Sequence, residues 1–170
     1  MTRVHGDELP ASPLFGGVKA GDWAELLAQA VRLDLDAGMS VFLQGKPADS
    51  FYAILSGAVE VRIKSPNSPE RVVAGLNEGA VLGETSLFLG GEHSASVITT
   101  EPCTLLQFRT DAFLQMIEEK QTGAILVLYN MGIALAGRLR SADQDKESGP
   151  KAVASGTIQN TRDKSQRFLR

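Results

Sequence analysis

Along this chain of 170 residues the spacing of apolar positions runs from helical to alternating and back to helical. In Asp22-Trp-Ala-Glu-Leu-Leu-Ala-Gln-Ala, residues Trp23, Leu26, Leu27 and Ala30 recur at helical intervals behind Asp22 as an N-cap, which predicts a short amphipathic helix. From Val31 to Phe108 the period moves toward two. Val31, Leu33 and Leu35 alternate, Val41-Phe42-Leu43 follows, and Phe51-Tyr-Ala-Ile-Leu is joined through Ser56-Gly57 to Val59, Val61 and Ile63. Turn signals recur at Ala37-Gly38, Gly45-Lys-Pro47, Ser65 to Pro69 and Asn77-Glu-Gly79. Many short strands at this spacing predict a mostly β fold with flanking helices. The expected form is an antiparallel double-sheet β-roll, a jelly-roll-like barrel, preceded by a short helix and followed by two C-terminal helices.

The first of those two helices is expected over Ala112 to Glu119, capped by Thr110 or Asp111. The second begins near Gln121 or Thr122 and is apolar on nearly every side. Such a helix must bury more than one face. One face can lie on the roll, and the other is expected to meet a second copy of the chain, with Ile125, Leu128, Gly132, Leu135 and Leu139 spaced as a seam. The expected organisation is a loose arm over 1–12, one domain over 13–140, and a disordered polar tail over 141–170. The tail's basic end, Thr161 to Arg170, reads as a solvated segment or as a docking peptide.

Composition adds mostly exclusions. With 43% hydrophobic and 22% charged residues the chain has material for one core, and a net charge of −3 gives no general pull toward nucleic acid or a membrane surface. No apolar run approaches the roughly 20 residues of a bilayer span, and the N-terminus lacks a basic region followed by an apolar one, so a cytoplasmic protein without a membrane partner is expected. The single cysteine, Cys103, lies in an apolar run and reads as a small buried hydrophobe. Two distant histidines, His5 and His93, offer no metal-ligand spacing, and neither a serine nucleophile elbow nor a phosphate loop is present. No enzyme and no metal are expected.

The stretch from Val81 to Thr99 carries the candidate chemistry. Gly83 can turn the backbone without a Cβ, Glu84 to Leu89 can form a brief helix, Gly90-Gly91 ends it, and Ser94 to Thr99 alternates like a returning strand. Unpaired N–H groups at such a turn attract anions. Glu84 beside them is suited to accept hydrogen bonds from sugar hydroxyls, or it is simply a capping carboxylate.

Phe51-Tyr-Ala-Ile-Leu-Ser-Gly-Ala-Val-Glu-Val, with Gly45-Lys-Pro-Ala-Asp-Ser50 before it and Gly83-Glu84-Thr-Ser-Leu-Phe after it, closely resembles the cyclic nucleotide-binding domain. The resemblance covers roughly Pro13 to Arg140. It implies that Gly83 and Glu84 meet the ribose and that the turn bearing Thr85, Ser86 and Leu87 holds the cyclic phosphate. It implies further that an arginine following the turn pairs with that phosphate and that the final helix meets the base, here near Tyr129 or Asn130. The arginine position falls on His93, followed by the small residues Ser94 and Ala95. An arginine is permanently charged and two-pronged, whereas a free histidine is mostly neutral at neutral pH. Losing one or two charge-assisted hydrogen bonds, at about 1.5–3 kcal/mol each, weakens binding roughly 10- to 10⁴-fold. Transcription factors of this family carry a helix-turn-helix after the long helix; only the polar tail follows here, so direct DNA binding is not expected.

Two functions are compatible with these residues. One is a stand-alone regulatory module that binds cAMP or cGMP, without further cofactor, and passes the event through its C-terminal helices to a protein partner in signal transduction. The alternative is a ligand-free, dimeric interaction scaffold that kept the fold.

Overall fold

The computed structural model describes residues 12–147. A 3-10 turn over Pro13–Phe15 precedes α1 (Ala20–Ala28), and eight strands follow: β1 (Ala30–Leu35), β2 (Ser40–Phe42), β3 (Ser50–Ser56), β4 (Ala58–Ser65), β5 (Ser68–Asn77), β6 (Val81–Leu82), β7 (Ser96–Thr99) and β8 (Cys103–Arg109). A five-residue helix, α2 (Thr85–Leu89), lies between β6 and β7, and α3 (Thr110–Glu118) and α4 (Thr122–Glu147) close the chain. The strands form two antiparallel four-stranded sheets, ordered β1-β8-β3-β6 and β2-β7-β4-β5. The expected mostly β double-sheet roll with flanking helices is what the chain forms.

The continuous apolar run of β3 follows from burial on both of its faces. Phe51 and Ala53 point to the helices, where they pack with Trp23, Leu26, Phe113, Val127 and Met131, while Tyr52 and Ile54 point between the sheets toward Val59, Leu82, Val97 and Leu105. β8 divides in the same way, with Leu105 inside the roll and Leu106 and Phe108 against the helices. Cys103 is buried at 3% exposure, and burial pushes its thiol pKa up.

Helix boundaries differ from the sequence reading where caps compete. α1 starts at Ala20 behind Lys19, so Asp22 is a first-turn acid and not the cap. α3 starts behind Arg109, and the Asp111 carboxylate accepts the Ala112 N–H at 2.8 Å while pairing with Arg109 at 2.7 Å. α4 continues to Glu147, past the expected domain end at Arg140. The rest of the expected tail, and the expected arm before Ser12, lie outside the described residues. Ser12 itself caps the 3-10 turn, accepting the Leu14 N–H at 3.2 Å and donating to the Gly79 carbonyl at 3.3 Å.

α4 also corrects the reading of apolar length. Thr122–Ser141 is 20 residues with mean hydropathy 1.4, long and apolar enough to cross a membrane by length and composition. Single polar residues such as Asn130 and Arg138 interrupt the run without lowering its average below that mark. Ala124, Val127 and Met131 of this helix are fully buried in the core, and Asn130 donates to the carbonyls of Leu14 and Gly16 at 3.0 and 2.9 Å. Leu128 and Leu135, two members of the expected seam, pack on that same core. The apolar residues that face outward are Ile125, Tyr129, Ile133 and Leu139.

Candidate functional site

β6 delivers the chain into a left-handed turn at Gly83, where φ is +69° and a Cβ would stand 3.0 Å from the Ser50 carbonyl oxygen. Only glycine suits that combination. The turn aims Glu84 inward and starts α2, whose first bond runs from the Leu87 N–H to the Glu84 carbonyl at 3.1 Å. On the other side, the segment before β7 is tied to the β2–β3 loop by main-chain bonds. His93 donates to the Lys46 carbonyl, Gly45 donates back to the His93 carbonyl, both at 2.9 Å, and Ala48 donates to Gly91 at 3.0 Å.

Between these segments lies a cavity of about 120 Å³, lined by Gly83, Glu84 and Thr85 from the turn and by His93, Ser94 and Ala95 ahead of β7. Phe42, Val61, Leu76 and Val97 supply apolar walls, and Arg138 of α4 closes one side. Of the residues named from the sequence, Gly83, Glu84, Thr85, His93, Ser94 and Ala95 are thus brought together, whereas the side chain of Ser86 lies outside the described set. Tyr129 and Asn130 do not line the cavity: Tyr129 is 67% exposed, and Asn130 is committed to the 3-10 turn. The contribution of α4 comes from Arg138 instead.

Glu84 is a buried carboxylate, 6% exposed, and its Oε1 lies 2.9 Å from Nη2 of Arg138. The contact is ionic and off the hydrogen-bonding direction, since Nη2 makes no aligned hydrogen bond. A buried carboxylate requires such a partner, because an isolated charge in an apolar setting costs far more than a paired one. The sequence reading missed Arg138. Its signal was present, for Ala124, Val127, Met131, Leu135 and Arg138 fall at helical intervals on the face that α4 turns inward. A cation continuing a core stripe points to a buried anion, but only the fold says which one.

His93 is 7% exposed, and its ring stacks on Phe42 with centroids 3.8 Å apart and planes 11° from parallel. Burial holds the imidazole below its ordinary pKa, with the Asp49 carboxylate partly opposing the shift. Arg62 is occupied elsewhere, paired with Glu60 at 2.9 Å and Glu70 at 3.7 Å. Among the described residues no group of His, Cys, Asp and Glu is arranged to hold a metal ion. The arrangement is therefore a cleft whose wall carries a carboxylate–guanidinium pair and a histidine ring stacked on phenylalanine, suited to a small polar ligand.

Comparison with known proteins agrees with that geometry. The cyclic nucleotide-binding domain family matches residues 32–120. The chain is 33% identical over 135 residues to the cyclic AMP receptor protein of Thermus thermophilus, covering 79% of this chain and 61% of that protein's length. It superimposes on the crystal structure of the Thermus thermophilus catabolite activator protein with a TM-score of 0.68 at 32% identity, over 81% of this chain and 62% of that one. A cyclic nucleotide-binding domain from Methylobacillus flagellatus shares the fold with a TM-score of 0.72 at 24% identity, over 82% and 79% of the two chains. With the glycine turn, the inward glutamate and the double-sheet roll all in place, this chain belongs to the cyclic nucleotide-binding domain family.

Proposed function

We propose that the cavity beneath α2 binds a cyclic nucleotide, cAMP or cGMP, and that α3 and α4 pass its occupancy to a partner protein. The observation that carries this reading is the Glu84–Arg138 pair inside the cavity. A ribose hydroxyl donating to Glu84 competes with the guanidinium for the same carboxylate, so ligand entry acts directly on the helix that bears Arg138. Gly83 and Glu84 meet the sugar in this reading, and the turn from Thr85, with Ser86 and Ser94, meets the phosphate near His93. The chain is a cytoplasmic binding module and not an enzyme, and two copies associate through the outward face of α4.

Titration calorimetry with cAMP and with cGMP, at neutral pH and at about pH 6, tests the reading alongside hydrogen exchange across α4. Micromolar binding with altered exchange near Arg138 upholds it. No heat at millimolar nucleotide overturns it.

A second reading, the ligand-free dimeric scaffold, draws on the exposed Ile125, Tyr129, Ile133 and Leu139 and on a phosphate side occupied by a histidine stacked on phenylalanine. Micromolar nucleotide binding removes it.

A further inference from the structure

We propose that this cavity takes up its cyclic nucleotide together with one proton, and that the ring of His93 carries that proton against the ligand's phosphate. The inference rests on the cyclic-nucleotide reading above and concerns how that same site is regulated.

Among the described residues, the cavity wall holds three charged or titratable side chains near neutrality, Glu84, Arg138 and His93. Glu84 and Arg138 hold each other at 2.9 Å, so their charges cancel. A cyclic phosphodiester is an anion at every pH at which a protein stays folded, and it enters a site with no net cation unless His93 supplies one. Neutral imidazole offers one N–H and one lone pair, and the lone pair repels phosphate oxygen. Imidazolium offers two N–H donors and a full charge.

The ring is placed to act through its charge state and not through movement. Phe42 lies flat behind it at 3.8 Å, and the main chain of His93 is fixed on both sides by Gly45 and Lys46. Cε1 of the ring lies 3.6 Å from where a Gly83 Cβ would stand, directly beside the turn.

Of the surroundings of the ring, burial disfavours its charged form and Asp49 favours it. Glu92 flanks His93 on its own segment, Lys46 and Asp49 belong to the β2–β3 loop, Glu84 comes from the turn and Arg138 from α4, and Tyr52 of β3 lies against Phe42, the ring on which His93 stacks. Asp49 favours the charged ring, but burial outweighs it, so the empty site holds His93 below its ordinary pKa and neutral at pH 7. An arriving phosphate adds an opposite charge against the ring and raises its proton affinity. Between the empty-site and occupied-site titration points, each nucleotide binds with a proton, and affinity falls as pH rises. The site then reports nucleotide and acidity jointly, which a permanently charged arginine cannot do.

Calorimetric titration of the full chain with cAMP and cGMP, from about pH 5.5 to about pH 8 in buffers of differing ionisation enthalpy, measures affinity and proton uptake together. The expected result is an affinity that falls by up to about tenfold per pH unit, with about one proton taken up per nucleotide. His93→Arg binds more tightly at the upper pH and loses both the slope and the uptake; His93→Gln binds weakly at all pH values without a slope. A wild-type affinity that is flat with pH and without proton uptake overturns the proposal and leaves the nucleotide reading standing. A slope that survives in His93→Arg or His93→Gln overturns it too, since another group then carries the proton. Binding by His93→Arg alone refutes the role of the histidine while keeping the pocket. No binding by either the wild type or the variants, with melting curves showing them folded, removes the nucleotide reading and the proposal together.

Discussion

The guanidinium of Arg138, from the third quarter of a 26-residue helix, lies 2.9 Å from the carboxylate of Glu84 at the start of a five-residue one. Glu84 is almost wholly buried while Arg138 is partly open, so the pair joins the interior of the cavity to the surface of α4. Removing the cation leaves a buried carboxylate without its partner. Arg138→Gln should lower unfolding free energy by about 1–2 kcal/mol, with part of the loss recovered in the double variant with Glu84→Gln. Urea denaturation of the four proteins closes the cycle, and additive losses would show that the two side chains are not coupled.

His93 should make stability depend on pH in a defined direction. Its folded-state pKa lies below the unfolded value of about 6.5, so the unfolded chain binds more protons at acid pH. The contribution is fully present above about pH 6.5 and is lost progressively below it, until the folded-state titration point is passed. Unfolding free energies measured across this range for the wild type and His93→Gln should diverge on the acid side, with the wild type showing the steeper loss. Parallel profiles would assign the slope to other groups.

Gly57 and Gly38 separate backbone strain from steric exclusion. Both have positive φ, +91° and +82°, but a Cβ at Gly57 would stand 2.5 Å from the Pro102 carbonyl oxygen and 2.6 Å from the Cys103 sulfur, while at Gly38 it meets nothing within 4 Å. Gly38→Ala should cost about 1–2 kcal/mol, the strain of a left-handed alanine. Gly57→Ala should cost about 3 kcal/mol or more, because β3, β4 and β8 must part to admit it. Equal denaturation midpoints for the two variants would contradict this.

The outward face of α4 carries the prediction about assembly. Ile133 is 56% exposed in the single chain, flanked along the helix by Tyr129 at 67% and Leu139 at 66%. Ile133→Glu should convert a micromolar dimer to a monomer in sedimentation velocity, with the fold of the monomer intact. A wild type that sediments as a monomer at high micromolar concentration would reject association through this face.

The roll was readable because its two-sided strands leave a dense apolar signature, as in Phe51-Tyr-Ala-Ile-Leu, and because turn residues separate them. β5 was not announced in this way. Its side chains from Ser68 to Gly75 are exposed, so no buried face imposes an alternating pattern on that edge strand. The two apolar faces of α4 were half legible: helical spacing identified the stripes, but Leu128 and Leu135, which pack on the core, were indistinguishable by type from residues that face outward. Tyr129 and Asn130 were named because the resemblance implies a base contact from the final helix, and the register of that helix against the roll puts Arg138, and neither of those two, on the cavity wall.

By itself the sequence determined the fold class and the glycine turn, because these depend on short-range periodicity and local backbone freedom, while the small set of residues around Glu84 and His93 was named through the resemblance of Gly83-Glu84-Thr-Ser-Leu-Phe to a known family. Tertiary structure alone decided that Glu84 is paired with Arg138, that His93 is pinned on Phe42, and that Asn130 holds the 3-10 turn. Each of those contacts joins segments far apart in the chain. Their distances are set by how α4 and the two sheets pack, which no local pattern encodes.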